Sequence, residues 1–178
     1  MSNTQGWLNI YKPQGISSFN VVYKIKKKFN LKKIGHGGTL DPLAEGVLPI
    51  AIGKTTKLIP FINKDIKEYE FKIKWCEQTS TDDSEGEVIA RSSKIPSLLE
   101  ITNQILKMKG SFLQKPPYAS AVKINGEKAY KLLREKKTFQ IKNKLVFLDE
   151  VSLLSSHRQT SKFFIRCGKG FYIRSFAR

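Results

Sequence analysis

An α+β fold, with a largely antiparallel mixed sheet flanked by a few helices, is predicted by three features of this 178-residue sequence. Segments of strand-like alternation outnumber segments of helical spacing. No regular strand–helix–strand repeat occurs. Turn signals, Asn125-Gly126 above all, separate neighbouring strand patterns.

The elements follow in chain order. Trp7–Lys12 reads as a short strand, and Pro13-Gln14-Gly15 as a turn. Ser17 or Ser18 then caps a helix over Phe19–Phe29, with Val22, Ile25 and Phe29 on one stripe. Lys24, Lys26, Lys27 and Lys28 fall mostly off that stripe, and Lys32 and Lys33 extend the basic patch. Ile34–Gly46 breaks every periodicity, and Val47–Ile52 is a compact apolar strand. Lys67–Trp75 alternates, with Tyr69, Phe71, Ile73 and Trp75 facing one way. An acidic loop, Thr79–Glu87, turns at Gly86. Pro96 and Ser97 open a second helix, whose Leu98, Ile101, Ile105 and Met108 share one face and which ends near Gly110.

Pro116-Pro117 begins an exposed, charged segment with few apolar anchors. It holds the Asn125-Gly126 hairpin turn and a short basic helix through Arg134. Two β-rich stretches follow, Lys144–Leu154 and Lys162–Cys167. A glycine turn at Gly168 and Gly170 leads into Phe171-Tyr172-Ile173-Arg174, which reads as a strand end.

Composition bounds the function classes. The length fits one domain, residues 1–178, and 40% hydrophobic with 11% aromatic residues argue against disorder. Lys and Arg number 32 against 15 Asp and Glu, a net charge of +17. That balance favours an anionic partner, nucleic acid or an acidic membrane surface, with a merely solvated basic surface as the plainer alternative. No apolar run approaches the ~20 residues of a membrane span, and the polar start MSNTQGW has no signal-peptide core. Cys76 and Cys167 are far apart, form no CxxC pair and have only His36 and His157 as possible co-ligands. Free thiols in a cytoplasmic protein are therefore expected, not a zinc site.

The most informative stretch is Gly35-His36-Gly37-Gly38-Thr39-Leu40-Asp41-Pro42-Leu43-Ala44-Glu45-Gly46-Val47-Leu48-Pro49. A glycine-dense loop with one acid beside a fixed-φ proline suits a rigidly presented carboxylate. The same local chemistry also fits an Asp-Pro turn with a helix cap. A P-loop is excluded, because no GxxxxGK[ST] spacing occurs.

GHGGTLDPLAEGVLP resembles the signature loop of the TruB family of pseudouridine synthases, and the resemblance recurs in order along nearly all of the chain. NIYKPQGISS is similar to the family's N-terminal motif, KEYEF to its tyrosine motif and STDDSEGEV to the acidic loop after it. QKPPYASAVKINGEKAYKLLRE resembles the insertion that clamps RNA, placed at residues 116–144, and GKGFYIRSFAR the arginine motif.

The resemblance implies a pseudouridine synthase-like fold and a chemistry that can be laid on single residues. Asp41 is similar to the family's nucleophile, which attacks a flipped-out uridine as its N1–C1′ bond breaks, after which the uracil turns and reattaches through C5. A carboxylate can form and release such an adduct at neutral pH. Tyr69 matches the tyrosine that stacks on the target base and is placed to take the C5 proton; a core aromatic is the plainer alternative. Arg174 matches the arginine that pairs with the nucleophile, whose charge would keep Asp41 ionised. Tyr172 matches the aromatic lining the base pocket, and His36 the histidine that wedges open the RNA loop and holds the flipped nucleotide.

The implied substrate is uridine-55 in the TΨC loop of tRNA, reached by base flipping, with the T-arm as the bound element. A cytoplasmic monomer with no membrane association is expected. The reaction is an isomerisation with no redox step and no group to carry, so no cofactor and no metal are implied. The family continues past the arginine motif, and this chain stops at Arg178 inside it. The closing strands, a pocket leucine and a small RNA-binding domain are therefore expected beyond the C-terminally truncated catalytic domain. Two rival readings differ in chemistry. A non-catalytic RNA-binding module, or an inactive truncated remnant, would share the basic surface without needing Asp41, Tyr69 and Arg174. An aspartate-dependent glycoside hydrolase would need a second carboxylate about 5–10 Å from the first, and only Asp82, Asp83 and Glu85 could offer one.

Overall fold

The computed structural model describes residues 4–62 and 66–178. They fall into two compact units that meet in sequence at residues 65 and 66, each described in its own right.

In the first unit, β1 (Gly6–Lys12) pairs antiparallel with β3 (Gly46–Ile52), and β2 (Ile34–His36) pairs with the other edge of β3. The central place of β3 follows from its sequence: Leu48, Ile50, Ala51 and Ile52 are all buried, an apolar run that suits a strand covered on both faces. Helix α1 (Ser18–Lys28) lies against this sheet, with Ser17 as its cap accepting from the Asn20 N–H.

The expected stripe of Val22, Ile25 and Phe29 needs one correction. Val21 is the helix residue buried against Leu48 and Ile50, with Val22 and Ile25 partly buried beside it, while Phe29 is 58% exposed. The helix end explains the change. Asn30 takes a left-handed conformation (φ 48°), Asn30 N–H bonds the Lys27 carbonyl and Leu31 N–H the Lys26 carbonyl. That is a Schellman ending, and its characteristic apolar contact falls to Leu31, which is buried in place of Phe29. A 3-10 turn (Gly53–Leu58) and a single helical turn, α2 (Ile59–Ile62), close the described part of this unit.

The second unit is built on a four-stranded sheet in the order β4 (Lys67–Lys74), β11 (Thr160–Cys167), β10 (Lys144–His157), β7 (Gly110–Gln114). Every strand pair among the described residues is antiparallel, so the fold is α+β as the sequence predicts. The alternation in β4 does what it implies: Ile73 is buried, and Tyr69, Phe71 and Trp75 pack beside it on a cluster of Leu148, Phe163, Ile165 and Phe176. Phe71 stacks on Phe163 with ring centroids 5.7 Å apart. Replacing the buried Phe163 with Ala would remove the centre of this cluster, a change that typically costs about 3–5 kcal/mol.

Helix α3 (Leu98–Lys107) covers the cluster through Ile101, with Ile105 and Met108 beside it. Leu98, expected on the same face, is 60% exposed, because it stands at the first helical position, a full turn before the covering stripe begins. Ser97 and Glu100 form a reciprocal capping box, and Lys94 reaches Glu100 at 2.7 Å. These partners hold the Glu100 carboxyl down at about 2, against 4.5 for a free one. A depressed carboxyl pKa gives stability that is complete above the unfolded value and lost as pH falls towards the folded one. The thermal stability of the wild type should thus fall as the pH drops from 4.5 to 2, and Glu100→Gln should flatten that part of the Tm profile.

A hairpin, β5 (Glu77–Thr79) with β6 (Val88–Arg91), frames the acidic loop. A second, β8 (Lys123–Ile124) with β9 (Glu127–Lys128), turns through the left-handed pair Asn125 and Gly126 and leads into α4 (Ala129–Arg134). The 116–144 segment carries more apolar anchors than its sequence promises: Pro116, Pro117, Ala129, Leu132 and Ile141 are all buried. The chain ends in α5 (Ile173–Ala177), a helix where the pattern reads as a strand end. Phe176 is the reason, since the helical turn sets its ring among Phe71, Phe163 and Phe171. Cys76 and Cys167 are free thiols, and burial pushes that of Cys167 up to about 11.

Candidate active site

The five expected site residues divide between the units: His36 and Asp41 in the first, Tyr69, Tyr172 and Arg174 in the second. Within the first, the loop after β2 is shaped by close packing. A Cβ on Gly37 would stand 2.8 Å from the Ile62 Cδ1, and the Gly37 N–H bonds the Pro49 carbonyl at 2.8 Å, so only glycine fits without a shift. His36 Nδ1 lies 2.6 Å from the Gly38 carbonyl. A carbonyl can only accept, so the proton sits on Nδ1 and Nε2 is left to meet another group.

Asp41 is held through its neighbours on both sides. Ser18 is buried, and its hydroxyl both accepts from the Leu40 N–H and donates to the Leu40 carbonyl, each at 2.9 Å. Lys12 is wholly buried, and its Nζ donates to the carbonyls of Ile16 (2.7 Å), Pro13 (2.9 Å) and Pro42 (3.3 Å), which uses all three ammonium protons. The Gly15 N–H also bonds the Pro42 carbonyl, at 2.9 Å, and the Ala44 N–H closes a turn onto the Asp41 carbonyl, at 3.0 Å. Burial pulls the Lys12 ammonium below its ordinary value, and the negative charges of Asp41 and Glu45 oppose that pull. The half-buried Asp41 carboxylate thus projects from a backbone pinned at residues 40 and 42. Lys12→Met should leave the Pro13 and Ile16 carbonyls without this donor. A loss of about 2–3 kcal/mol is expected, read as a lower urea midpoint at constant slope.

In the second unit, Tyr69 lies on β4 opposite Ile165 of β11, half-buried against the core cluster. Phe171 and Ile173, the neighbours of Tyr172, pack against the same cluster, so the tyrosine and arginine motifs border one body of side chains. Tyr172 is fixed through its backbone: Gln114, buried at the end of β7, accepts from the Tyr172 N–H at 2.9 Å and donates to its carbonyl at 3.1 Å. The carboxamide acts here as one more rung of a ladder.

Arg174 is largely enclosed. Nη1 donates to the Thr81 carbonyl (3.0 Å) and to Asp83 Oδ2 (3.2 Å), and Nη2 to the Ala119 carbonyl (3.2 Å). Asp83 is itself held through Oδ1, which accepts from the Thr81 hydroxyl and the Glu85 N–H. Beside it, Asp82 pairs with Arg178 at 2.7 Å; burial raises its carboxyl pKa, against the lowering effect of Arg178 and Arg174. The acidic loop, one end of the 116–144 segment and α5 therefore meet at two arginines. Both aspartates are committed to arginines, which makes them poor candidates for the second carboxylate of a glycosidase.

Sequence reasoning missed Lys12, Ser18, Gln114 and Asp83. All four lie in the quoted motifs, but only Lys12 and Asp83 carry a chemical signal of their own there, a lysine at the end of a largely apolar strand and an acid in a Thr/Asp-rich loop. Among the described residues, no group of three His, Cys, Asp or Glu side chains could hold a metal ion, and no helix is long and apolar enough to cross a membrane.

The family model described as TruB family pseudouridylate synthase (N terminal domain) matches residues 26–173. A protein of Ehrlichia ruminantium (strain Gardel) named tRNA pseudouridine synthase B is 46% identical over 175 residues, covering 97% of this chain and 59% of the relative. One of the same name from Bartonella bacilliformis (strain ATCC 35685 / KC583 / Herrer 020/F12,63) is 46% identical over 97% of this chain and 54% of its own length. The chain thus spans a little over half the length of these curated relatives. Among solved structures, a Cbf5-Nop10-Gar1 complex matches with a TM-score of 0.69 and 28% identity, over 97% of this chain and 42% of the other. An H/ACA RNP bound to a substrate RNA containing 2'-deoxyuridine matches with a TM-score of 0.64 and 25% identity, over 97% and 40%. With the family model matched over most of its length, the chain belongs to the TruB family of pseudouridylate synthases.

Proposed function

We propose that this chain is the catalytic domain of a cytoplasmic, monomeric tRNA pseudouridine synthase, an isomerase that converts uridine to pseudouridine, with uridine-55 of the T-arm as its target. The observation that carries the reading is the double clamp on the Asp41 loop. Ser18 fixes Leu40, Lys12 fixes Pro42, and one carboxylate is presented between them. An Asp-Pro turn that served only the fold would not need a buried ammonium and a buried hydroxyl spent on its two flanks.

In this mechanism Asp41 is the nucleophile. Arg174 supplies the positive charge that favours the ionised carboxylate, and Asp83 holds Arg174. Tyr69 stacks on the target base and takes the C5 proton, Tyr172 lines the base pocket, and His36 holds the extruded nucleotide through its free ring nitrogen. Base extrusion is a requirement of the chemistry, since the glycosidic bond cannot be remade inside a stack. The +17 charge suits the phosphates of a bound T-arm. The isomerisation needs no cofactor or metal.

The test is release of tritium from tRNA transcript labelled at uridine C5. Release that stops when uridine-55 is replaced by cytidine establishes substrate and position together. RNA binding without release assigns the chain to a non-catalytic RNA-binding module or an inactive remnant.

A further inference from the structure

We propose that the outward face of α1 is a base-stacking platform for RNA, with Phe19 and Tyr23 as the stacking rings and Lys24, Lys26 and Lys27 as phosphate contacts beside them. The inference rests on the RNA-processing reading and adds a binding surface to it.

Helix α1 meets its core through Val21, Val22 and Ile25. Phe19 and Tyr23 stand away from that stripe, 70% and 54% exposed. Four residues apart, they lie one turn from each other on the same side. Their rings are nearly parallel, at 18°, with centroids 6.3 Å apart. Lys27 continues the row one turn further, and Lys24 and Lys26 flank it, all exposed. The helix carries four lysines and no acid, and Lys32 and Lys33 follow it.

A solvated helix face normally mixes both signs of charge and avoids large rings. Here flat π-surfaces stand on a helix whose only charged residues are lysines. Single-stranded RNA matches both features, since every base has a stackable face and every nucleotide a phosphate. An anionic membrane would match the lysines, but a helix seated in lipid needs a broad free apolar face, and the apolar stripe of α1 is already used by the core. A protein surface would gain from the rings yet would have to be strongly acidic, and that alternative is separated by the test.

The experiment uses the whole chain and a fluorescent T-arm hairpin, titrated at several salt concentrations. Phe19→Ala with Tyr23→Ala should weaken binding by about tenfold or more at every salt concentration, leaving the salt slope unchanged. Lys27→Ala should instead lower that slope by about one. Tyr23→Phe, which keeps the ring, should bind as the unsubstituted chain does. Both rings are exposed, so the variants should unfold at the wild-type temperature, and ultraviolet crosslinking should map RNA adducts to positions 19 and 23. Binding of the double variant within twofold of wild type would overturn the platform alone. Failure of the unsubstituted chain to bind RNA even at low salt would overturn both the platform and the reading beneath it. A change in sedimentation of the free protein on removing the rings, with RNA affinity unchanged, would assign the face to protein contacts and overturn the proposal.

Discussion

Asp41→Asn is expected to abolish pseudouridine formation, lowering the rate by a factor on the order of 10⁴ or more, while RNA affinity stays within about twofold of the parent. The amide is nearly isosteric with the carboxylate but cannot attack as an anion. Phosphate contacts, which supply much of the affinity, are untouched or slightly favoured by loss of a negative charge. The loop should keep its shape, because Ser18, Lys12, Gly15 and Ala44 pin its backbone on both sides of Asp41. Tritium release and filter binding measure the two quantities separately, with mass spectrometry to exclude deamidation back to Asp. Wild-type rates from the Asn variant would sink the mechanism. Parallel loss of rate and affinity would make Asp41 a loop-shaping residue instead.

Asp83→Asn should lower kcat by about 10²-fold with little change in KM, the penalty expected when a reacting group is displaced by about 1 Å. In the proposed mechanism Asp83 is a positioning residue that acts through Arg174, which it meets at 3.2 Å. The Asn amide can still accept from Thr81 and Glu85 through its oxygen. It then turns an NH₂ towards the guanidinium, replacing attraction by a donor–donor clash. Arg174 keeps its bonds to the Thr81 and Ala119 carbonyls, so the fold should survive while the guanidinium shifts. A cycle with Arg174→Lys provides the check, since two residues acting as a unit give a double variant little worse than the worse single one. Rates that multiply would show that Asp83 works independently of the arginine.

Much of this molecule is legible in its sequence because much of it is periodic. The alternation of Lys67–Trp75 and the Asn125-Gly126 turn each state their structure locally, and the structure agrees. The errors arise where a distant contact outbids a local pattern. Phe29 looks like a core residue until the left-handed Asn30 swings Leu31 inward. Phe171–Arg174 looks like a strand until Phe176 is seen to need a place among three other rings. The site divides in the same way. The candidate reactive groups and the residues that hold them all fall in recognisable motifs, but which support meets which group is not written there. Gln114 lies 58 residues from the Tyr172 backbone it braces, and Asp83 lies 91 from Arg174. Nothing in one sequence, taken alone, marks such pairs.

The double clamp on residues 40 and 42 also fixes what can be moved from this protein into another. A designer who copied only the glycine-rich signature onto a new scaffold would transfer a carboxylate without its foundations. The ammonium beneath Pro42 comes from the last residue of the first strand, and the hydroxyl beneath Leu40 from the first residue of the first helix. The smallest portable piece therefore runs from Gly6 to Ile52, taking in the strand that supplies one support, the helix that supplies the other and the closing strand they pack on. Trimming either of the first two would keep Asp41 in the text of the sequence and lose its place in space.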